Sequence, residues 1–480
     1  MNRVACGLAA ALILAPSARA GETAWYTLQA DGALIGYATH EEVDRPDGRE
    51  IVQVQAIDVA SLTGMPVRVG QRQVRREDAA GRTLQIVADE EVGRTRTRTV
   101  ARIEGASARV TRQTAAGRSS VVVPLPRGVR FDDGEGLLRG WDPVATPRLA
   151  FDAFDLDAMA VEQVTIEPAP AVPGDPPGAR AALRRRYVAG ELQGVVRLIL
   201  DAEGEITSVV QPLFGATVVS RIATRDAALA EHAPYPALRG VVTKSAYRIS
   251  GPTARGHIRY RFGFRDGLAF TPPQTPEQRV TEAPDGATLD ICGGCGPGLP
   301  TDDATLAAAL RPTPWLQSDD LRIRRLAGPV ARMKVSDARK MQLLLEVARP
   351  HLGRVDFAGH FSAVETLKRR AGDCTEASVL LAALGRAAGI PTKVANGLVY
   401  SRAYYHGVSN AFMPHSWTLA YVDGRWRSFD LALDGFESTH VALTVGDGDA
   451  RSLMASGRLA GLLVWNGMTA VRTPGEPEPP

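Results

Sequence analysis

The sequence predicts an α+β chain, with an antiparallel β-rich region in its first 270 residues followed by a mixed helix-and-strand domain in its C-terminal third. Three observations carry that expectation. From Ala24 onward, apolar and polar residues alternate with period two in short runs broken by Asp-Gly, Ala-Gly and Pro-Asp-Gly turns, the pattern of strands with one wet face. Past residue 300 the apolar spacing changes to that of helices, as in 336–347, which Pro350 stops. Between them, 271–300 is rich in Pro, Thr and Glu at its start and reads as a linker.

In chain order, residues 1–20 read as a secretion signal: Arg3, an apolar core at 4–15, and Ala18-Arg19-Ala20 as a small-x-small cleavage site. The expectation is an exported protein, periplasmic or secreted, that loses Cys6 with its leader. No later run reaches 18 apolar residues, so no membrane-spanning segment is expected after cleavage. Residues 21–166 form a β-rich domain with strands near 25–29, 51–57, 97–103, 108–114 and 119–123. A Pro-rich loop, 167–180, separates it from a second β-rich part, 181–270, which is either the same sheet or a distant repeat. The linker 271–300 carries a Cys-x-x-Cys pair, 301–472 is the helix-and-strand domain, and 473–480, with four prolines, reads as a frayed tail.

Composition narrows the function. The chain holds 56 basic and 53 acidic residues, a net +3 that becomes +1 without Arg3 and Arg19, so nothing points to nucleic acid. With 45% hydrophobic residues a core needs no metal or disulfide to form, and no cofactor motif is present. Of the cysteines beyond the leader, Cys292 and Cys295 lack the second pair or histidines that zinc requires; they read as a short disulfide or two solvated thiols. Cys374 then stands alone.

Asp373 and Glu376 have the spacing of a reciprocal N-terminal cap, which starts a helix with Cys374 at its first position and ends it near Gly389 and Pro391. A thiol there meets unpaired N–H groups and the positive end of the helix dipole, both of which favour thiolate. Farther on, Asp423-Gly424 marks a two-residue hairpin that sets Val422 opposite Arg425. Counting outward, His415 and Asp430 fall on one face as diagonal neighbours, a base and the carboxylate that orients it. Asp434 shares that side.

The ordered motifs Gly372-Asp-Cys-Thr-Glu-Ala, Ala387-Ala-Gly-Ile-Pro, Gly397-Leu-Val-Tyr, His415-Ser-Trp and Trp426 to Asp430 resemble the transglutaminase-like superfamily. The resemblance implies a papain-like cysteine fold, with Cys374 as nucleophile, His415 as general base and acid, and Asp430 as the orienting residue. It implies acyl transfer on peptide-like amides, by hydrolysis or transamidation, and a peptide or protein substrate. His415 is followed by Ser where many relatives have Ala. Trp417, Tyr404 and His406 are candidate substrate contacts, while His351, His360 and His440 flank the region. The rival expectation is an exported, catalytically silent binding module whose β-rich region binds protein, glycan or lipid. Oligomeric state and the partner of Cys374 in an oxyanion hole are not legible.

Overall fold

The structure is a computed structural model that describes residues 21–471 except 61–65, 93–94, 115–116, 173–174, 189, 214–215, 237–241, 246, 266–267, 284–285, 355–360, 403–408 and 434. The leader, the tail, His360, Tyr404, His406 and Asp434 lie outside the described residues. The chain is β-rich, with 49% strand and 19% helix, and divides into two compact units, residues 1–240 and 241–480.

The first unit is a 14-stranded antiparallel sheet. Its first eight strands are β1 (Thr23–Ala30), β2 (Ala33–Arg45), β3 (Gly48–Ala60), β4 (Pro66–Asp78), β5 (Thr83–Val92), β6 (Thr95–Glu104), β7 (Ser107–Thr114) and β8 (Gly117–Pro124). The other six are β9 (Leu149–Asp155), β10 (Ala160–Ala169), β11 (Arg180–Val188), β12 (Glu191–Leu200), β13 (Ile206–Leu213) and β14 (Ala216–Ala223). Each run is a meander, and the two join where β1 pairs with β14, leaving β8 and β9 at the ends of the order. Alternation drives it: Tyr26, Leu28 and Ala30 of β1 are buried, as are Ile86 and Ala88 of β5 and Ala108 and Val110 of β7. The opposite positions carry charges paired across strands, including Arg49 with Glu77 at 2.6 Å and Arg98 with Asp89 at 3.0 Å. The Pro-rich segment stands between β10 and β11, which pair directly, so 21–166 and 181–223 belong to one sheet.

The second unit corrects the linker expectation. Residues 271–300 supply β17 (Gln278–Ala283) and β18 (Gly286–Ile291), which pair with β16 (His257–Phe264) and, through it, β25 (Leu463–Val471). Composition misled here because Gln278 is buried through hydrogen bonds: its amide nitrogen donates to Pro273 O and Ala442 O, and its oxygen accepts the Ala442 N–H. The unit boundary accordingly falls at 240/241, ahead of β16. Cys292 and Cys295, just past β18, form a disulfide.

A second sheet orders β15 (Thr243–Lys244), β22 (Ala411–Val422), β21 (Thr392–Ser401) and β24 (Val441–Gly446), with β23 (Arg425–Phe429) also on β22, while β19 (Gly353–Arg354) and β20 (Ala371–Gly372) pair with each other in parallel. Helices packed around the second sheet include α1 (Leu321–Ala331), α2 (Asp337–Ala348), α3 (Ala363–Arg369), α4 (Cys374–Ala387) and α5 (Ala450–Leu462). Every residue of α4 from Thr375 to Arg386 is buried. Its leucines 380, 381 and 384 share a core with Ile323 and Val330 of α1, Met341 and Leu344 of α2, and Val422 of β22. Burial on all sides fixes the helix firmly, which fixes its first residue, Cys374.

Candidate active site

The start of α4 is a reciprocal cap. The Asp373 carboxylate accepts the Thr375 N–H at 2.9 Å, and Glu376 accepts the Asp373 N–H at 3.0 Å. Glu376 reaches back only because residue 372 is glycine: a Cβ there would lie 2.4 Å from the Glu376 Cβ. The other Glu376 oxygen accepts the Phe361 N–H at 3.1 Å. Burial, and then the neighbouring Asp373 carboxylate, push Glu376 well above the usual carboxyl range.

Cys374 is half-buried, and the Ser416 backbone N–H donates to its sulfur. Its thiol is nevertheless pushed well above the usual range, by burial first and by the charge of Asp373, with Asp430 and Glu376 adding to it. The helix terminus alone predicted the opposite direction. Burial, with the adjacent Asp373 carboxylate, outweighs it.

The hairpin has the register counted from the sequence: Val422 opposite Arg425 and Thr418 opposite Phe429. Asp423 and Gly424 both take positive φ, 50° and 80°, as the tight turn requires. His415 Nε2 lies 2.6 Å from Asp430 Oδ2. Asp430 Oδ1 accepts the backbone N–H groups of Ala432 and Leu433 at 2.8 and 3.0 Å. Burial alone would raise the Asp430 carboxyl; the charge and hydrogen bond of His415, joined by those of His440, overcome it and hold the group well below the usual range.

His440, which the sequence placed only as a flanking residue, shares this carboxylate. Its Nε2 lies 2.9 Å from the same Asp430 Oδ2, and its ring meets that of His415 edge-on at 5.5 Å. The three side chains offer ligand atoms within 4.8 Å of one another. Separations of 2.6 and 2.9 Å are those of hydrogen bonds. Two ligands of a tetrahedral zinc ion would stand about 3.3 Å apart.

Trp417, a candidate substrate contact by sequence, is placed in the core beside His415. It is 2% exposed and stacks on His415, and its indole N–H donates to Ser428 Oγ. Ser428 is held in turn by Glu277, so Trp417 packs beneath the histidines. Ser416, the departure from the family pattern, uses its hydroxyl to donate to Asn396 Oδ1 at 2.7 Å. Asn396, Ser428 and Glu277 had no local signal that could have marked them.

Residues 325–431 match the family model of the transglutaminase-like superfamily. The chain carries a transglutaminase-like domain. Among solved structures, the chain is similar to a candidate cysteine protease from Cytophaga hutchinsonii at 16% identity, with TM-score 0.28, over 46% of this chain and 84% of that one. It is similar to a candidate protease from Parabacteroides distasonis at 10% identity, with TM-score 0.20, over 60% of this chain and 68% of that one. A β-barrel-like protein of unknown function from Brucella abortus is similar at 15% identity, with TM-score 0.34, over 45% of this chain and 98% of that one. No curated protein matches. The transglutaminase-like segment spans α4, β21, β22 and β23 and ends at Leu431, ahead of His440.

Proposed function

We propose that the transglutaminase-like domain is a papain-like α+β thiol enzyme that transfers acyl groups from peptide-like amides, in a protein exported to the periplasm or beyond. The observation that carries this reading is the 2.6 Å bond from His415 Nε2 to a buried, ionised Asp430, with the Cys374 sulfur on the amide of the very next residue, Ser416. Anchoring Nε2 leaves Nδ1 of the same ring to exchange a proton with the thiol.

Because burial and the adjacent Asp373 carboxylate favour thiol over thiolate, the proton leaves as the carbon–sulfur bond forms. His415 Nδ1 takes it while sulfur attacks the amide carbon. The imidazolium then gives it to the departing nitrogen, the carbon–nitrogen bond breaks, and a thioester remains. Water or a second amine, deprotonated by His415, resolves the thioester and returns the proton to sulfur. The Cys374 backbone N–H, at the first position of α4, is one donor to the developing oxyanion. Oriented proton transfer contributes about 10²–10⁴ in rate.

The test is incubation of leaderless protein with a Gln-containing peptide, with and without a primary amine, read by mass spectrometry beside Cys374→Ser. Hydrolysed or amine-joined product that vanishes in the variant supports the reading. A second reading, a silent binding module, is favoured by the raised thiol. The two-armed alkylator 1,3-dibromoacetone separates them, since a Cys374–His415 crosslink requires the pair to be within reach. No product and no crosslink would leave the silent module standing.

A further inference from the structure

Resting on the catalytic reading above, we infer that His440 is a positioning residue: it shares the Asp430 carboxylate with His415 and sets the pH at which His415 becomes a working base. The geometry is a carboxylate between two imidazoles. Asp430 Oδ2 is 2.6 Å from His415 Nε2 and 2.9 Å from His440 Nε2, and all three side chains are buried, at 5%, 1% and 1% exposure. Two N–H groups from the rings and two from the backbone of Ala432 and Leu433 therefore converge on one carboxylate.

The direction of the His440 bond follows from Asp430, whose carboxylate, held below the usual range, is ionised and can only accept. Nδ1 lies 3.2 Å from the Glu437 N–H, which it accepts when neutral, and 2.8 Å from the Glu437 carbonyl, to which it donates when charged. Facing that carboxylate, Nε2 carries the hydrogen in the neutral and the charged ring alike, and the hydrogen points at Asp430. Each N–H directed at the carboxylate draws on its negative charge, so His440 competes with His415 for the same oxygen. Its presence weakens the pull of Asp430 on the His415 imidazolium.

The remaining charged groups around the trio have their own partners or act from farther out. Glu277 is tied to Ser428 N and Oγ and bears electrostatically on His440. The Glu437 carboxylate is paired with Arg402 at 2.7 Å, presenting only its backbone to His440. Cys374 feels the Asp430 charge. None of these supplies a second proton donor to Oδ2.

Two full-chain variants test the inference, His440→Leu, which removes the N–H, and His440→Gln, which keeps an N–H donor of similar reach. Relieved of its competitor, Asp430 should hold the His415 imidazolium more tightly. The acid limb of the kcat/KM profile of His440→Leu should then move up by about one pH unit. Its kcat should fall about tenfold at neutral pH with KM unchanged, as when an outer partner of a working imidazole is lost. His440→Gln should return both toward wild type. An arm independent of turnover titrates His415 by NMR in Cys374→Ala protein, with and without His440→Leu, and the midpoint should rise by the same amount. An unmoved midpoint in folded protein overturns the positioning role, even if activity is absent altogether. If zinc at micromolar concentration shifts both rings together and chelator reverses it, the trio is a metal site and the inference falls.

Discussion

Two acidic side chains shielded from water, one in part and one almost wholly, respond in opposite ways. Glu135, beside the first unit's sheet, is raised to about 8, by burial first and then by the like charges of Asp133 and Asp132 against the pull of Arg184. Asp430, almost wholly buried in the second unit, is held well below the usual range. The difference lies in donors. Asp430 collects four N–H groups within 3.0 Å, whereas Glu135 has carboxylates for neighbours, and Arg184 nearby leaves Nε and Nη1 without a hydrogen bond. Burial decides the direction of a shift unless bonds aimed at the charged form outnumber what was lost to water.

Asp430→Asn should break that comparison most visibly. The amide presents hydrogens to groups that also donate, so stability should fall by about 3–5 kcal/mol in urea melts. Acyl transfer should fall by about 10⁴, because the tautomer of His415 is no longer enforced. The sign with pH is fixed by the depressed carboxyl. Its contribution is complete above the unfolded value of about 3.9 and fades as pH drops toward the folded one. The gap between wild type and variant should thus narrow below about pH 4; a gap constant from pH 7 to 3 would mean the four donors do not hold the charge.

Glu135→Gln sharpens the other side. A carboxyl raised to about 8 in the fold contributes fully below its unfolded value, about 4.3, and the contribution is lost as pH rises through 8. Wild type should lose stability over that window and the variant should not. At pH 8 the variant should be more stable by about 1 kcal/mol, well under the full shift because the side chain keeps some solvent. Calorimetry should show this as about 2–4 °C in Tm for a unit of this size. Equal slopes in the two proteins would show Glu135 ionised like any surface acid.

What the sequence revealed, and what it hid, follows the same line between local and gathered contacts. The strands were legible because alternation is a local property: 97–103 and 108–114 read from spacing lie in β6 and β7. The cap at Asp373 and Glu376 and the turn at Asp423-Gly424 are also written in neighbouring residues, and together they predicted where Cys374, His415 and Asp430 sit on their elements. His440 was hidden because it reaches Asp430 only where β24 begins beside β21, a pairing no spacing encodes. Glu277 was hidden within a stretch whose composition imitates a linker. The direction of the Cys374 thiol was misread for a related reason: the helix dipole is a property of α4 itself, while the burial that raises the thiol most comes from what packs over the helix start.

The smallest effect expected is at an ion pair that looks, on paper, as good as the one at Asp430. Arg98 Nη1 lies 3.0 Å from Asp89, a charged pair across β5 and β6, but the two side chains are 59% and 43% exposed. Water already solvates both ions, so their attraction is screened and offset by the entropy of holding two side chains in one place. Arg98→Ala should change the urea midpoint by no more than about 0.5 kcal/mol, at low and at high salt alike. A loss above about 1 kcal/mol that disappears in 1 M salt would mean the arginines of β6 and β7 act as a coupled network. The contrast between the units would then be one of degree, with charge holding the sheet as it holds Asp430, and water would no longer be what separates them.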